Sequence, residues 1–179
     1  WTRLAPDLLN GGGLPPAAIE VRWEVARDEG FRDIVRTGKT LAESQQAHSV
    51  HVEVDGLAPA RWYWYRFMAG DAVSAAGRTR TAPPGGATSD RLRFAFASCQ
   101  QYEQGYYAAH RHMAAENLDL VVFLGDYIYE SSWGSRHVRK HEAPEPVTLE
   151  QYRNRYARYK SDADLQRCHA AFPWLVTWD

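Results

Sequence analysis

The sequence predicts a multi-domain chain: a small β-sandwich over residues 1–82, then the first part of an α/β domain that opens with a βαβ unit. Three observations carry this. Residues 1–82 contain short runs that alternate apolar with polar, separated by Gly- and Asp-rich turns, as half-buried antiparallel strands require. Pro83-Pro-Gly-Gly-Ala-Thr-Ser-Asp90 is a linker by composition, so the boundary falls at 83–90. Residues 91–179 then read strand, helix, strand, an order that demands a parallel sheet.

In the first region, Ile19-Glu-Val-Arg-Trp-Glu-Val25 and Val50-His-Val-Glu-Val54 alternate as strands with one buried face. Arg61-Trp-Tyr-Trp-Tyr-Arg-Phe67 has the aromatic content that strands favour. Its aromatics are expected to pack across strands rather than present a ligand platform. Turns are expected at Asn10–Gly13, Asp28–Gly30, Thr37-Gly38, Asp55-Gly56 and Gly70-Asp71. The phrase Val54-Asp-Gly-Leu-Ala-Pro59 followed by Trp62-Tyr-Trp-Tyr-Arg66 resembles the late strands of a fibronectin type III-like domain.

Beyond the linker, Leu92 to Ala97 reads as a strand running into Ser98-Cys99. Tyr106 to Asn117 reads as a helix, with Tyr106, Ala109, His110 and Met113 at helical spacing. Leu120 to Leu124 is a short unbroken apolar run, the pattern of a parallel strand buried on both faces. Ser131 to Pro146 is polar and Pro-containing, hence a loop. Thr148-Leu-Glu-Gln151 is a capping box that opens a helix, along which Tyr152, Tyr156 and Tyr159 form a packing stripe. Ser161 to Asp164 caps a second short helix, and Phe172 to Trp178 reads as a third strand.

Composition bounds the function. With 45% hydrophobic and 24% charged residues the chain is in the range of soluble globular proteins. Lys plus Arg at 21 against Asp plus Glu at 22 argues against a polyanion-binding surface, nucleic acid included. No apolar run is long enough for a transmembrane segment. The abrupt opening at Trp1 and the stop at Asp179 read as cuts through a larger protein, so the lack of a signal peptide carries no weight.

Three predicted strands end in a residue able to bind metal: Cys99, Asp126 and Asp179. Ligands of open α/β sheets collect at the carboxyl ends of the strands. Carboxylates at adjacent strand ends can converge on a site of two or more metals. Tyr129, three residues after Asp126, can return to the same crevice if the chain turns tightly after Gly125. A thiolate and a phenolate beside carboxylates suit a ferric ion better than magnesium. Against this stand bland readings: Cys99 as a small buried hydrophobe, a Cys99–Cys168 disulfide, packing tyrosines and solvated strand-end aspartates.

The motifs are more specific than the spacing. Gly125-Asp-Tyr-Ile-Tyr129 matches the G-D-x-x-Y pattern of calcineurin-like metallophosphoesterases with a tyrosine ligand. Together with Ala97-Ser-Cys-Gln-Gln-Tyr-Glu103 and Thr177-Trp-Asp179 it resembles the alkaline phosphatase D (PhoD-like phosphatase/phosphodiesterase) family. Trp1–Leu4 and Ser74–Pro83 are similar to the entry and exit of that family's N-terminal domain. The resemblance implies a secreted phosphoric ester hydrolase, periplasmic or cell-wall associated, acting on phosphate mono- or diesters through a metal-activated hydroxide. It implies Fe3+ held by Cys99 and Tyr129, Asp126 bridging to a divalent ion expected to be Ca2+, and Asp179 as a ligand of that second centre. No catalytic residue beyond these metal ligands is implied. The family's later Asp and His ligands follow Asp179, so the chain is expected to carry the first half of a site and to lack useful turnover alone.

Two other readings stand beside it. A purple-acid-phosphatase-like enzyme would carry Asp-x-His where this chain has Ser98-Cys-Gln100. A cell-surface β-sandwich binding module with a degenerate phosphatase half would not need its ligand positions filled. His137 and His141 are expected on the surface of a loop, as are Arg136, Arg139 and Lys140. Cys168 is expected to pack on a helix.

Overall fold

The computed structural model describes residues 1–88 and 91–177. The chain divides into two compact units, Trp1–Asp7 with Gly12–Leu92, and Leu8–Gly11 with Arg93–Asp179.

The first unit is built of antiparallel strands. β1 (Thr2–Arg3) pairs with β4 (Ser49–Val50). A five-stranded sheet has the order β3 (Ile34–Ala42), β2 (Ile19–Ala26), β5 (Trp62–Ala69), β6 (Ala72–Val73), with β7 (Gly77–Arg80) also on β5. Alternation directs Val21, Ala42, Val50 and Phe67 into one core, where Leu4, Trp23 and Tyr65 pack against them. On the opposite face the polar positions pair across strands: Arg66 meets Glu24 at 2.7 Å, and the Arg78 guanidinium lies 3.9 Å from the Trp62 ring centre. The Tyr63 hydroxyl accepts from the Ala58 amide at 2.9 Å, a bond back to upstream backbone like that of tyrosine corners in β-sandwiches.

Two sequence expectations change here. Thr37-Gly38 is no turn but the middle of β3, with Gly38 opposite Trp23 in register. A Cβ at Gly38 would collide with the Trp23 indole, so the glycine marks a ring laid across the strand. The alternating run Val50 to Val54 is strand only at Ser49–Val50, because its partner β1 supplies just Thr2 and Arg3 to the ladder.

The second unit holds a parallel sheet in the order β10 (Trp174–Val176), β9 (Leu120–Phe123), β8 (Phe94–Ala97). The crossover from β8 to β9 contains α1 (Ala108–Ala115), and that from β9 to β10 contains α2 (Leu149–Lys160) and α3 (Ala163–Ala171). The capping box is formed: the Thr148 hydroxyl accepts from the Gln151 amide while the Gln151 side chain accepts from the Thr148 amide. Asp162 caps α3 by accepting from the amides of Asp164 and Leu165 at 3.0 and 3.1 Å.

The core of this unit joins Tyr102, Tyr107, Phe123, Tyr127, Tyr159 and Leu165. The β9 run is buried on one face rather than two. Val121 and Phe123 are fully buried, whereas Leu124, Phe96 and Leu175 are each more than half exposed. His110 of α1 and Leu165 of α3 cover the Phe123 side, and among the described residues the other face stays open.

Candidate metal centre

The parallel ladder continues past the ends of β8 and β9. The Leu124 amide donates to the Ala97 carbonyl (2.8 Å), Cys99 N–H to Gly125 (3.3 Å) and Gln100 N–H to Asp126 (3.2 Å). The loops after the two strands therefore run side by side at the carboxyl edge of the sheet. Within them Cys99 and Asp126 have φ of 57° and 54°, and Gly125 has 108°. Left-handed backbone at a Cys and an Asp costs roughly 1–3 kcal/mol each and clusters at functional sites. Here it turns both side chains out of the strand alternation at neighbouring strand ends.

Cys99, Asp126 and Tyr129 meet. The Tyr129 hydroxyl donates to Asp126 Oδ2 in a short hydrogen bond, and Cys99 lies close enough to act on it electrostatically. Burial, then the neighbouring Asp126 and Cys99, push the phenol well above its ordinary pKa of 10.0. The Tyr129 ring rests edge-on against Trp133, 5.3 Å between centres. Asp179 lies outside the described residues. Among those residues no group of three His, Cys, Asp or Glu could hold a metal. The third donor is a phenol: thiol, carboxylate and phenol are anionic oxygen and sulfur donors once deprotonated, a set that fits a ferric ion.

Both cysteines are free, Cys99 exposed and Cys168 buried, so the Cys99–Cys168 bridge does not form. Burial pushes the Cys168 thiol up to about 12, which leaves it inert packing.

Gln100, which the sequence did not single out, ties the two loops together from behind. Its Nε2 donates to the Tyr127 carbonyl at 2.9 Å, so its Oε1 must face His110 Nε2 at 3.0 Å, and that nitrogen carries the imidazole proton. His110 Nδ1 is then a buried lone pair with no partner. The Tyr107 hydroxyl donates to the Gln100 carbonyl at 2.7 Å. A cavity of about 240 Å³ opens beside this loop, lined by Cys99, Gln100, Tyr106, His110 and Met113 among others.

The expected surface loop behaves otherwise. His141 is only 2% exposed. Arg139 is held by Asp162 and by the Tyr102 carbonyl, both at 2.7 Å, and stacks on the Tyr102 ring. A loop containing Gly134, Pro144 and Pro146 hid these because their burial depends on α2, the Asp162 cap and Tyr102, not on the loop's own periodicity. His137 binds the Trp133 carbonyl instead of joining His141.

Residues 94–179 match the family model described as PhoD-like phosphatase, and residues 1–83 the one described as PhoD-like phosphatase, N-terminal domain. The chain is 58% identical over 184 residues to alkaline phosphatase D of Bacillus subtilis (strain 168), an alignment covering 100% of this chain and 32% of that protein. A solved structure of PhoD superposes with a TM-score of 0.96 at 57% identity, covering 100% of this chain and 35% of that one. The chain thus spans about a third of the length of these relatives.

Proposed function

Because the chain belongs to the PhoD-like phosphatase family, we propose that it is part of a phosphoric ester hydrolase whose metal centre begins at Cys99, Asp126 and Tyr129. The observation that carries this is the meeting of thiol, carboxylate and phenol at adjacent parallel strand ends, two of them on left-handed backbone. The ions proposed are Fe3+ on Cys99 and Tyr129 and Ca2+ across Asp126, with Asp179 as a further ligand. When bound, such ions supply Lewis acidity toward the phosphoryl oxygens of a mono- or diester and toward the attacking water.

The chain's own residues set the conditions. The Tyr129 hydroxyl proton, donated in a hydrogen bond to Asp126, must leave before the phenolate can act as a metal donor, so loading releases protons and is favoured as pH rises. Gln100 keeps the Cys99 and Asp126 loops in register through the Tyr127 carbonyl. Residues 1–82 form a fibronectin III-like sandwich in this reading, supported by the antiparallel sheet and the Tyr63 bond to Ala58. Residues 91–179 open the metallophosphatase domain, and the protein acts outside the cytoplasm. No helix among the described residues is long and apolar enough to cross a membrane.

The test is metal analysis and a visible spectrum on the protein at the full length of its relatives, beside Tyr129→Phe. A phenolate-to-iron charge-transfer band that vanishes in the variant is expected. Well-folded, metal-replete protein without iron would overturn the Cys99–Tyr129 assignment. The 179-residue chain by itself is expected to hold metal weakly and to show no useful turnover of a phosphodiester; robust metal-dependent hydrolysis by it would contradict that.

A further inference from the structure

Tyr159 lies in the aromatic stripe of α2, where spacing suggests only packing, yet its hydroxyl is placed for something else. It accepts from the Tyr129 amide at 3.0 Å and from the Tyr102 amide at 3.3 Å, and meets His141 Nε2 at 3.0 Å. The side chain is fully buried. Four residues earlier on the same helix, and so on the same face, Arg155 donates to the Tyr129 carbonyl at 2.7 Å and to the Glu130 carbonyl at 2.6 Å. Its other nitrogen reaches the carbonyls of Ala143 and Pro144 at 3.4 and 2.9 Å.

Arg155 is 3% exposed, and a buried cation is expensive unless it is fully hydrogen-bonded. Here the guanidinium meets main-chain carbonyls at both ends of the irregular segment 131–147, and its Nη1 also lies 3.1 Å from His141 Nδ1. The peptide groups on both sides of Tyr129 are thereby fixed to one capped helix, the N–H by Tyr159 and the C=O by Arg155. The Tyr129 side chain, at the far end of that residue, meets Asp126 and Cys99.

We propose that Tyr159 and Arg155 are positioning residues for the metal-binding phenol of Tyr129, an inference that rests on the ligand role proposed above. They touch neither metal nor substrate. They set where the phenol stands relative to Cys99 and Asp126, and they couple that position to the segment 131–147.

Tyr159→Phe tests this, because it keeps the ring in the core and removes only the hydroxyl. Hydrogen exchange at the Tyr129 amide, measured on the 179-residue chain, is expected to accelerate about tenfold, the factor for one lost buried hydrogen bond. In the protein at its relatives' length, ferric affinity read from the phenolate band is expected to fall about 10- to 100-fold. Leu165→Val, a core variant chosen to lower Tm to the same degree, is expected to leave both readouts at the wild-type value. A band that is present in wild type and unchanged in Tyr159→Phe overturns the proposal alone, as does unchanged exchange at Tyr129. Equal effects from Leu165→Val reduce Tyr159 to a structural role and overturn it as well. A wild type with no band at all overturns the ligand reading, and this inference with it.

Discussion

His141 should make the fold acid-sensitive in a way that one substitution removes. Its ring is buried between Tyr102 and Tyr159, with ring centres 5.7 and 5.6 Å away. Burial, then the Arg155 charge, push its pKa from 6.5 to about 4, with Glu103 pulling the other way. Above about pH 6.5 the imidazole is neutral in folded and unfolded chains alike and contributes no pH dependence. As pH falls below that value, the unfolded chain takes up a proton that the folded chain refuses until about pH 4. Stability is therefore lost across that window and the loss levels off beneath it. The interval from 6.5 to about 4, at about 1.36 kcal/mol per pH unit, amounts to about 3 kcal/mol. The assay is urea unfolding of wild type and His141→Gln at several pH values between about 7.5 and 4. Glutamine retains hydrogen-bonding capacity and does not titrate. Wild type should lose about 3 kcal/mol more than the variant across the window. Parallel profiles for the two proteins would refute the reasoning. His169, pushed down to about 3 by burial and then Lys160, acts with the same sign and is present in both, so it cancels in the comparison.

Two further outcomes follow from the packing. Gly38→Ala would place a methyl inside the Trp23 ring and should destabilise the first unit by about 1–3 kcal/mol, measured by urea unfolding; no change would mean that the indole moves aside freely. A thiol reagent on the native chain should titrate Cys99 and spare Cys168 until denaturant is added, with Cys99→Ser abolishing the native reaction. Reaction of both thiols at equal rates would contradict the burial of Cys168.

The elements that could be read from sequence were those with a local cause. Thr148 and Gln151 sit at the spacing a capping box needs, and the bonds form. Ile19–Val25 alternates, and β2 buries Val21 and Val25. Strand, helix, strand implied a parallel sheet, and β8, β9 and β10 pair that way. Readings failed where the cause lay elsewhere in the chain. Gly38 resembled a turn because the ring that excludes its side chain comes from another strand. Val52 and Val54 alternate like a strand, but the ladder ends with β1. Leu124 belongs to an apolar run, yet no described element covers its face of the sheet.

For the candidate centre, sequence by itself determined which atoms are on offer: a thiol, a carboxylate and a phenol, each at or just after a strand end, in motifs that match the PhoD-like phosphatase family. Residue type and short-range spacing suffice for that, since strand ends and tight turns are local properties. Only the tertiary structure decided that Cys99 stands beside Tyr129, that Gln100 binds the neighbouring loop, and that His141, Arg155 and Tyr159 lie buried behind it. Those contacts link residues 14 to 57 positions apart. A hydrogen bond between such residues requires the whole sheet and α2 to be in place, and no window of sequence contains both partners.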